Sequence, residues 1–290
     1  MTIYTVNNSV HQKATEYLNQ ELGTREELDV VLGKEPLLVL GDNGYYHHET
    51  LNLLKQLTSD FSLLFFDAHS DRYFIPGQDP RFDNFGVFAS QLEHLMETIY
   101  LGLDGRAVCN PKDLLGFLSQ CKVYSSKIFA SELNATSLLD FQGYPDNHQI
   151  RAMHFSYEGE RYPEPVLEEN LRRLLEINPT ILKHHILSYP SWVLSLEWAR
   201  LPSFNPSSIL SSDVYVTTDV DVLEKEEGVP IVDFSRGDLT ISDYLLHLQS
   251  IADHKRILVL DIMGLDWKKV NQNDNSKKLI LAAHEIIKSQ

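Results

Sequence analysis

The chain has 290 residues, 43% of them hydrophobic and 23% charged, which suits a globular protein long enough to bury a full core. Its formal net charge of −16 argues against a nucleic-acid footprint, which needs clustered Lys and Arg, and suits solubility or the attraction of a cationic substrate such as a guanidinium group. No apolar stretch approaches the ~18 residues of a membrane span. The N-terminus lacks a basic-then-apolar secretory pattern, and Cys109 and Cys121 are too few for a disulfide framework. The expectation is a cytoplasmic protein without nucleic-acid or membrane partners.

In chain order, the first apolar run is EPLLVLGDN (35–43), followed by a helical pattern over 47–60 and a second run, FSLLFFDAHSD (61–71). Two stretches rich in Pro, Gly, Asp and aromatics, 74–86 and 143–165, read as long loops able to shape a pocket mouth. A helical pattern covers 166–177, a third run is SDVYVTTDVDV (212–222), helical spacing follows Asp238, and a fourth run is KRILVLDIMGLD (255–266). Runs apolar on both faces are expected of buried parallel strands, with chemistry at their C-terminal ends. Their alternation with helices predicts an α/β/α sandwich in one domain over 1–290.

Two of these ends are acidic. Asp67, His69 and Asp71 alternate directly after a strand, and on an extended chain period-two spacing projects all three to one side. A strand-end turn with a capping Asp accounts for one of the carboxylates but not for a His flanked by two. Asp219 and Asp221 repeat the device at the end of the third run. Four clustered carboxylates repel one another without a cation, so a divalent metal site is expected. Oxygen-rich donors with some imidazole and no thiolate favour manganese.

FDAHSD and TTDVDV resemble the two metal-binding signatures of arginases, agmatinases and related ureohydrolases, and KRILVLDIMGLD resembles the late strand of arginases. The resemblance covers roughly 35–75 and 212–285. It implies a three-layer sandwich around a mostly parallel eight-stranded sheet and two Mn²⁺ per chain. Those ions would lower the pKa of a shared water that attacks a guanidinium carbon. Asp71, by the same resemblance, bridges the metals and orients that water as a catalytic group. Arginases carry the sixth ligand in a Gly-Gly-Asp-His sequence, where this chain has Asn43. A divergent arginase-like branch, which includes peptide arginases, has instead a His followed by any residue, Glu and two apolar residues, a pattern to which His47-His48-Glu49-Thr50-Leu51 is similar. His47 is therefore the expected sixth ligand and His48 the second choice.

Around the metal set the chain departs from free-arginine enzymes. Tyr73 stands where an Asn helps hold the amino acid's carboxylate, and is a candidate substrate-binding residue. Asn84 lies near the place of a catalytic His, and Gly264 replaces a guanidinium-binding Glu, with Asp266 a candidate to compensate. His154 and His148 are candidate proton donors, more often solvated in loops of this kind. His184, His185, Trp192, Glu197 and Trp198 read as structural. The expected function is Mn-dependent hydrolysis of arginine residues within a precursor peptide, as in ribosomal-peptide natural-product biosynthesis, giving ornithine residues and urea. Alternatives are a ureohydrolase for agmatine, guanidinobutyrate or free arginine, a deacetylase-like amide hydrolase, and a non-catalytic peptide-binding protein.

Overall fold

A computed structural model describes residues 2–31, 35–43, 47–69, 71, 79–89, 91–102, 122–123, 149–153, 205–231, 237, 239–270 and 273–290. The four apolar runs form strands β3 (Leu37–Asn43), β4 (Phe61–Phe66), β8 (Asp213–Asp219) and β9 (Arg256–Gly264). They are contiguous at the centre of one sheet in the order β3-β9-β8-β4, and each neighbouring pair is parallel. Strands β1 (Ile3–Thr5) and β2 (Gly23–Thr24) extend the sheet beyond β3. Beyond β4 lie β5 (Leu95–Leu101), then β7 (Gln149–Met153) and β6 (Lys122–Val123).

All nine described strands are parallel to their neighbours, one strand more than the resemblance implies, and two of them are two-residue edge strands. β3 leads to β4 across a gap that β8 and β9 fill later in the chain. The carboxyl ends of four strands are thereby gathered where the winding direction reverses, the usual place for a site in an open parallel sheet.

Side chains on the central strands alternate between two apolar layers. Leu38, Leu40, Leu64, Phe66, Val214 and Val216 share one core with helices α1 (Asn8–Leu18), α5 (Ile241–Ala252) and α6 (Asp274–Lys288). Leu37, Val39, Leu63, Phe65, Tyr215 and Met263 share the other, which Leu28 of α2 (Arg25–Val31), Leu51 and Leu54 of α3 (Glu49–Leu54), and Phe85 of α4 (Phe85–Ala89) cover. Burial on both faces makes the sheet the middle of three layers, an α/β/α sandwich. Among the described residues no helix is long and apolar enough to cross a membrane.

Several expectations change in extent. The helix expected over 47–60 runs only over α3, because Gln56 and Leu57 donate to the carbonyls of Leu53 and Leu54 three residues back and tighten the end. The stretch 143–165 contains β7, so it is not wholly loop, and α4 begins at Phe85 within 74–86. Tyr73, Cys109, Cys121, His148, His154, His184, His185, Trp192, Glu197, Trp198 and the pattern over 166–177 lie outside the described residues.

Candidate metal centre

β4 ends at Phe66, and the ligand-bearing segment after it is not an extended strand. The amide of His69 donates to Asp67 Oδ1 at 2.6 Å, closing a small turn. Asp71 has φ +48, a left-handed conformation uncommon outside Gly, Asn and Asp, and its carbonyl accepts from Gly86 N at 2.9 Å. Folding of the chain, rather than period-two alternation, thus sets where these side chains point. His69 and Asp71 end up in different groups.

The β8 end is more regular. Asp219 caps a single 3-10 turn, Val220–Val222, its Oδ1 accepting from Asp221 N at 3.0 Å. Asp221 reaches across to the β4 segment, where its Oδ1 accepts from Ala68 N at 3.2 Å and its Oδ2 lies 2.8 Å from His69 Nδ1.

Two sets of potential ligands result, His47 with Asp67 and Asp71, and Asp67 with His69 and Asp221, the ligand atoms within each set lying within 4.8 Å of one another. His47 Nδ1 is 2.7 Å from Asp71 Oδ2, 3.5 Å from Asp67 Oδ2 and 3.6 Å from Asp219 Oδ2. Asp67 belongs to both sets and Asp71 to one. Asp67 directly follows the strand end, while Asp71, past the turn, brings its Oδ2 2.7 Å from His47 Nδ1. His48 occupies the N-cap position of α3 and is in neither set.

The electrostatics are those of anions held together. Burial first, then the charges of Asp71, Asp221 and Asp219, raise the Asp67 carboxyl well above the usual range. Burial and Asp221 push Asp219 up to about 7 against the opposing influence of His47. Burial alone would lower the imidazoles. Asp71 outweighs it at His47, with help from Asp219 and Asp261, and lifts that ring to about 9; Asp221 with Asp71 and Asp219 lifts His69 to about 10.

Buried Asp67 Oδ2 has no hydrogen-bond partner, and buried Asp71 Oδ2 and His47 Nδ1 meet each other at 2.7 Å. Leaving such an oxygen unsatisfied is costly, and a cation beside it removes the cost, so this donor set fits divalent metal.

The departures from the arginase pattern have structural reasons. A Cβ at Gly264, which has φ +85, would overlap Asp219 Oδ1, so the carboxylate occupies the space where a side chain would begin. Asn84 is buried and holds its own turn, accepting from Arg81 N at 2.6 Å and donating to Asp79 O at 3.1 Å. Asp266 likewise serves a turn: Oδ1 accepts from Lys268 N at 3.0 Å and Oδ2 pairs with Lys269 Nζ at 3.1 Å. It is in neither ligand set, and its two oxygens are engaged outside them.

Behind His47 lies a polar network absent from the sequence reading. Thr217 Oγ1 is 2.9 Å from His47 Nε2 and donates to Asp261 Oδ1 at 2.6 Å. Tyr215 and Thr50 donate to Asp261 Oδ2. A carboxylate inside the apolar run ILVLDIM was the available signal, since a charge there needs partners.

No protein-family model and no curated protein matches the sequence. Among solved structures the chain is similar to an arginase from Bacillus caldovelox at 10% identity and TM-score 0.49, over 100% of this chain and 99% of that one. It is also similar to a hypothetical agmatinase from Burkholderia thailandensis at 14% identity and TM-score 0.46, over 92% and 67%. A formimidoylglutamase from Bacillus subtilis aligns at 14% identity and TM-score 0.45, over 93% and 71%.

Proposed function

We propose that this chain is an arginase-like hydrolase of the guanidinium group, holding two divalent ions, preferably Mn²⁺, and acting on arginine residues within a peptide. The observation that carries the reading is the pair of ligand sets joined through Asp67, whose buried Oδ2 has no hydrogen-bond partner. His47, Asp67 and Asp71, with Asp219 beside them, would hold one ion, and Asp67, His69 and Asp221 the other. Bound there, the ions supply Lewis acidity and activate water for attack on a trigonal carbon. The protein's part is to fix the six side chains around the ions, which would displace the protons that burial and clustering otherwise favour. Water adds to the guanidinium carbon, the bond from that carbon to the side-chain nitrogen breaks, and that nitrogen takes up a proton. An ornithine residue and urea are the products.

Peptide-borne arginine is favoured because Tyr73 stands where free-arginine enzymes carry the Asn that helps hold the amino acid's carboxylate, and two further positions of the free-arginine pattern differ. Gly264 leaves its space to Asp219, and Asn84 is committed to its turn. The acidic chain suits a cationic substrate.

The test is incubation of the Mn²⁺-loaded protein with Arg-containing peptides, agmatine, guanidinobutyrate and free arginine, reading urea release and, for the peptides, conversion of arginine to ornithine by mass spectrometry. Equimolar urea and ornithine residues from peptides support the proposal. Urea from the small compounds alone assigns a small-molecule ureohydrolase, and no urea with any divalent metal overturns the reaction.

A further inference from the structure

Asp261 is fully buried in β9, the strand between β3 and β8, and both of its oxygens are occupied. Oδ1 accepts from Thr217 Oγ1 at 2.6 Å and from Thr218 N at 3.3 Å, while Oδ2 accepts from Tyr215 OH at 2.6 Å and from Thr50 Oγ1 at 2.9 Å. A threonine hydroxyl has one hydrogen, and at Thr217 that hydrogen points to Asp261. At its 2.9 Å contact with His47 Nε2, Thr217 Oγ1 can therefore only accept. Nε2 must carry the hydrogen, which leaves Nδ1 of the neutral ring as the atom with the lone pair. Nδ1 is the atom that faces Asp71, Asp67 and Asp219.

We infer that Asp261 and Thr217 are positioning residues, which by this two-bond chain fix the tautomer and the orientation of His47 so that Nδ1 is presented to a metal ion. The inference rests on the metal-centre part of the proposed function. Ligating histidines generally donate their second ring nitrogen to a carboxylate or carbonyl, and here a threonine hydroxyl is interposed. Tyr215 and Thr50 hold the far side of Asp261, which leaves Thr217 as its link to the ring. The four partners come from β8 and α3, so the network also ties the His47 segment to the sheet centre.

The experiment compares wild type with Thr217→Val, Thr217→Ser and Tyr215→Phe. It reads Mn²⁺ affinity by chelator competition, and the ¹⁵N shifts of the His47 ring in metal-free protein above about pH 10, where a ring raised to about 9 is neutral. Thr217→Val should weaken Mn²⁺ binding by roughly 10–100-fold, the usual effect of losing such a partner, and lose the Nε2–H signature. Thr217→Ser should restore both, while Tyr215→Phe should lower thermal stability with affinity within a few-fold. An unchanged affinity and unchanged ring shifts in Thr217→Val overturn the inference. Should Thr217→Val not fold, Thr217→Ser and the wild-type ring shifts still decide, since a protonated Nδ1 with bare Nε2 in wild type excludes the arrangement. Wild type that binds Mn²⁺ but releases no urea refutes the reaction and leaves the positioning role standing.

Discussion

The two turns that deliver the carboxylates are built differently. The β8 turn carries its own cap: Asp219 caps the 3-10 turn that contains Asp221, so the Asp219 side chain is set by local hydrogen bonding. The β4 turn is held from outside, by Asp221 accepting from Ala68 N, by Gly86 donating to the Asp71 carbonyl, and by a left-handed backbone at Asp71. One turn acts as a template and the other is shaped against it. Short-range capping sets Asp219, whereas the β4 segment, whose His69 and Asp71 fall in different ligand sets, adds a left-handed residue and long-range partners.

Removing the ligand common to both sets breaks this arrangement most severely. Asp67→Asn should abolish urea release and leave metal content, read by elemental analysis, near zero. Because burial and neighbouring carboxylates raise the Asp67 pKa, its charged form works against the fold above the usual carboxylate range. The metal-free variant should therefore melt above metal-free wild type at neutral pH. A variant that keeps both ions refutes the shared role.

Gly264→Ala strikes the template turn from β9. A Cβ there overlaps Asp219 Oδ1, and φ +85 adds a backbone cost of about 1–3 kcal/mol. The expected outcome is a lower melting temperature together with weaker Mn²⁺ binding. Unchanged metal affinity would show that Asp219 moves freely and that the β8 turn is no fixed template.

Proton inventory sharpens the comparison at intermediate size. With His47 raised to about 9 and His69 to about 10 in the metal-free site, both rings are protonated at neutral pH and must lose a proton to bind a cation. Mn²⁺ affinity should rise with pH through the neutral range toward about 9. Titration calorimetry in buffers of different ionisation enthalpy reads the proton release directly, and a pH-independent affinity with no release contradicts it.

Asp266→Ala should have the smallest effect. It removes an acceptor for Lys268 N and an ion pair with the exposed Lys269, a stability loss of about 0.5–1.5 kcal/mol carried mainly by the hydrogen bond. Urea release should stay within a few-fold of wild type. A collapse of turnover with normal folding would return Asp266 to the role of guanidinium partner.

Much of the site was legible because its signals are local. An apolar run followed by DAHSD or DVD names both a strand and what stands at its end, and His47, expected from a resemblance to a His-x-Glu pattern, lies beside Asp67 and Asp71. Asp71 shows where such reading stops. Its alternation with Asp67 and His69 suggests one face of an extended segment, but the strand ends at Phe66 and the backbone turns left-handed. Gly264 reads as the loss of a functional side chain, and only its packing against Asp219 gives a reason for glycine. Thr217 and Asp261 are ordinary strand residues until β8 and β9 pair in register, Thr217 opposite Asp261.

The sequence by itself determined the four central strands, the two acidic strand ends and the residue types that call for a divalent cation. These depend on hydrophobic periodicity and on side chains a few positions apart. Tertiary structure alone decided that the four strands are neighbours, that Asp67 is the shared carboxylate, and that His47 is oriented through Thr217 by Asp261. Those facts join residues as far apart as His47 and Thr217, or Thr50 and Asp261. No local propensity encodes such pairings, and the burial of a parallel sheet on both faces brings them about.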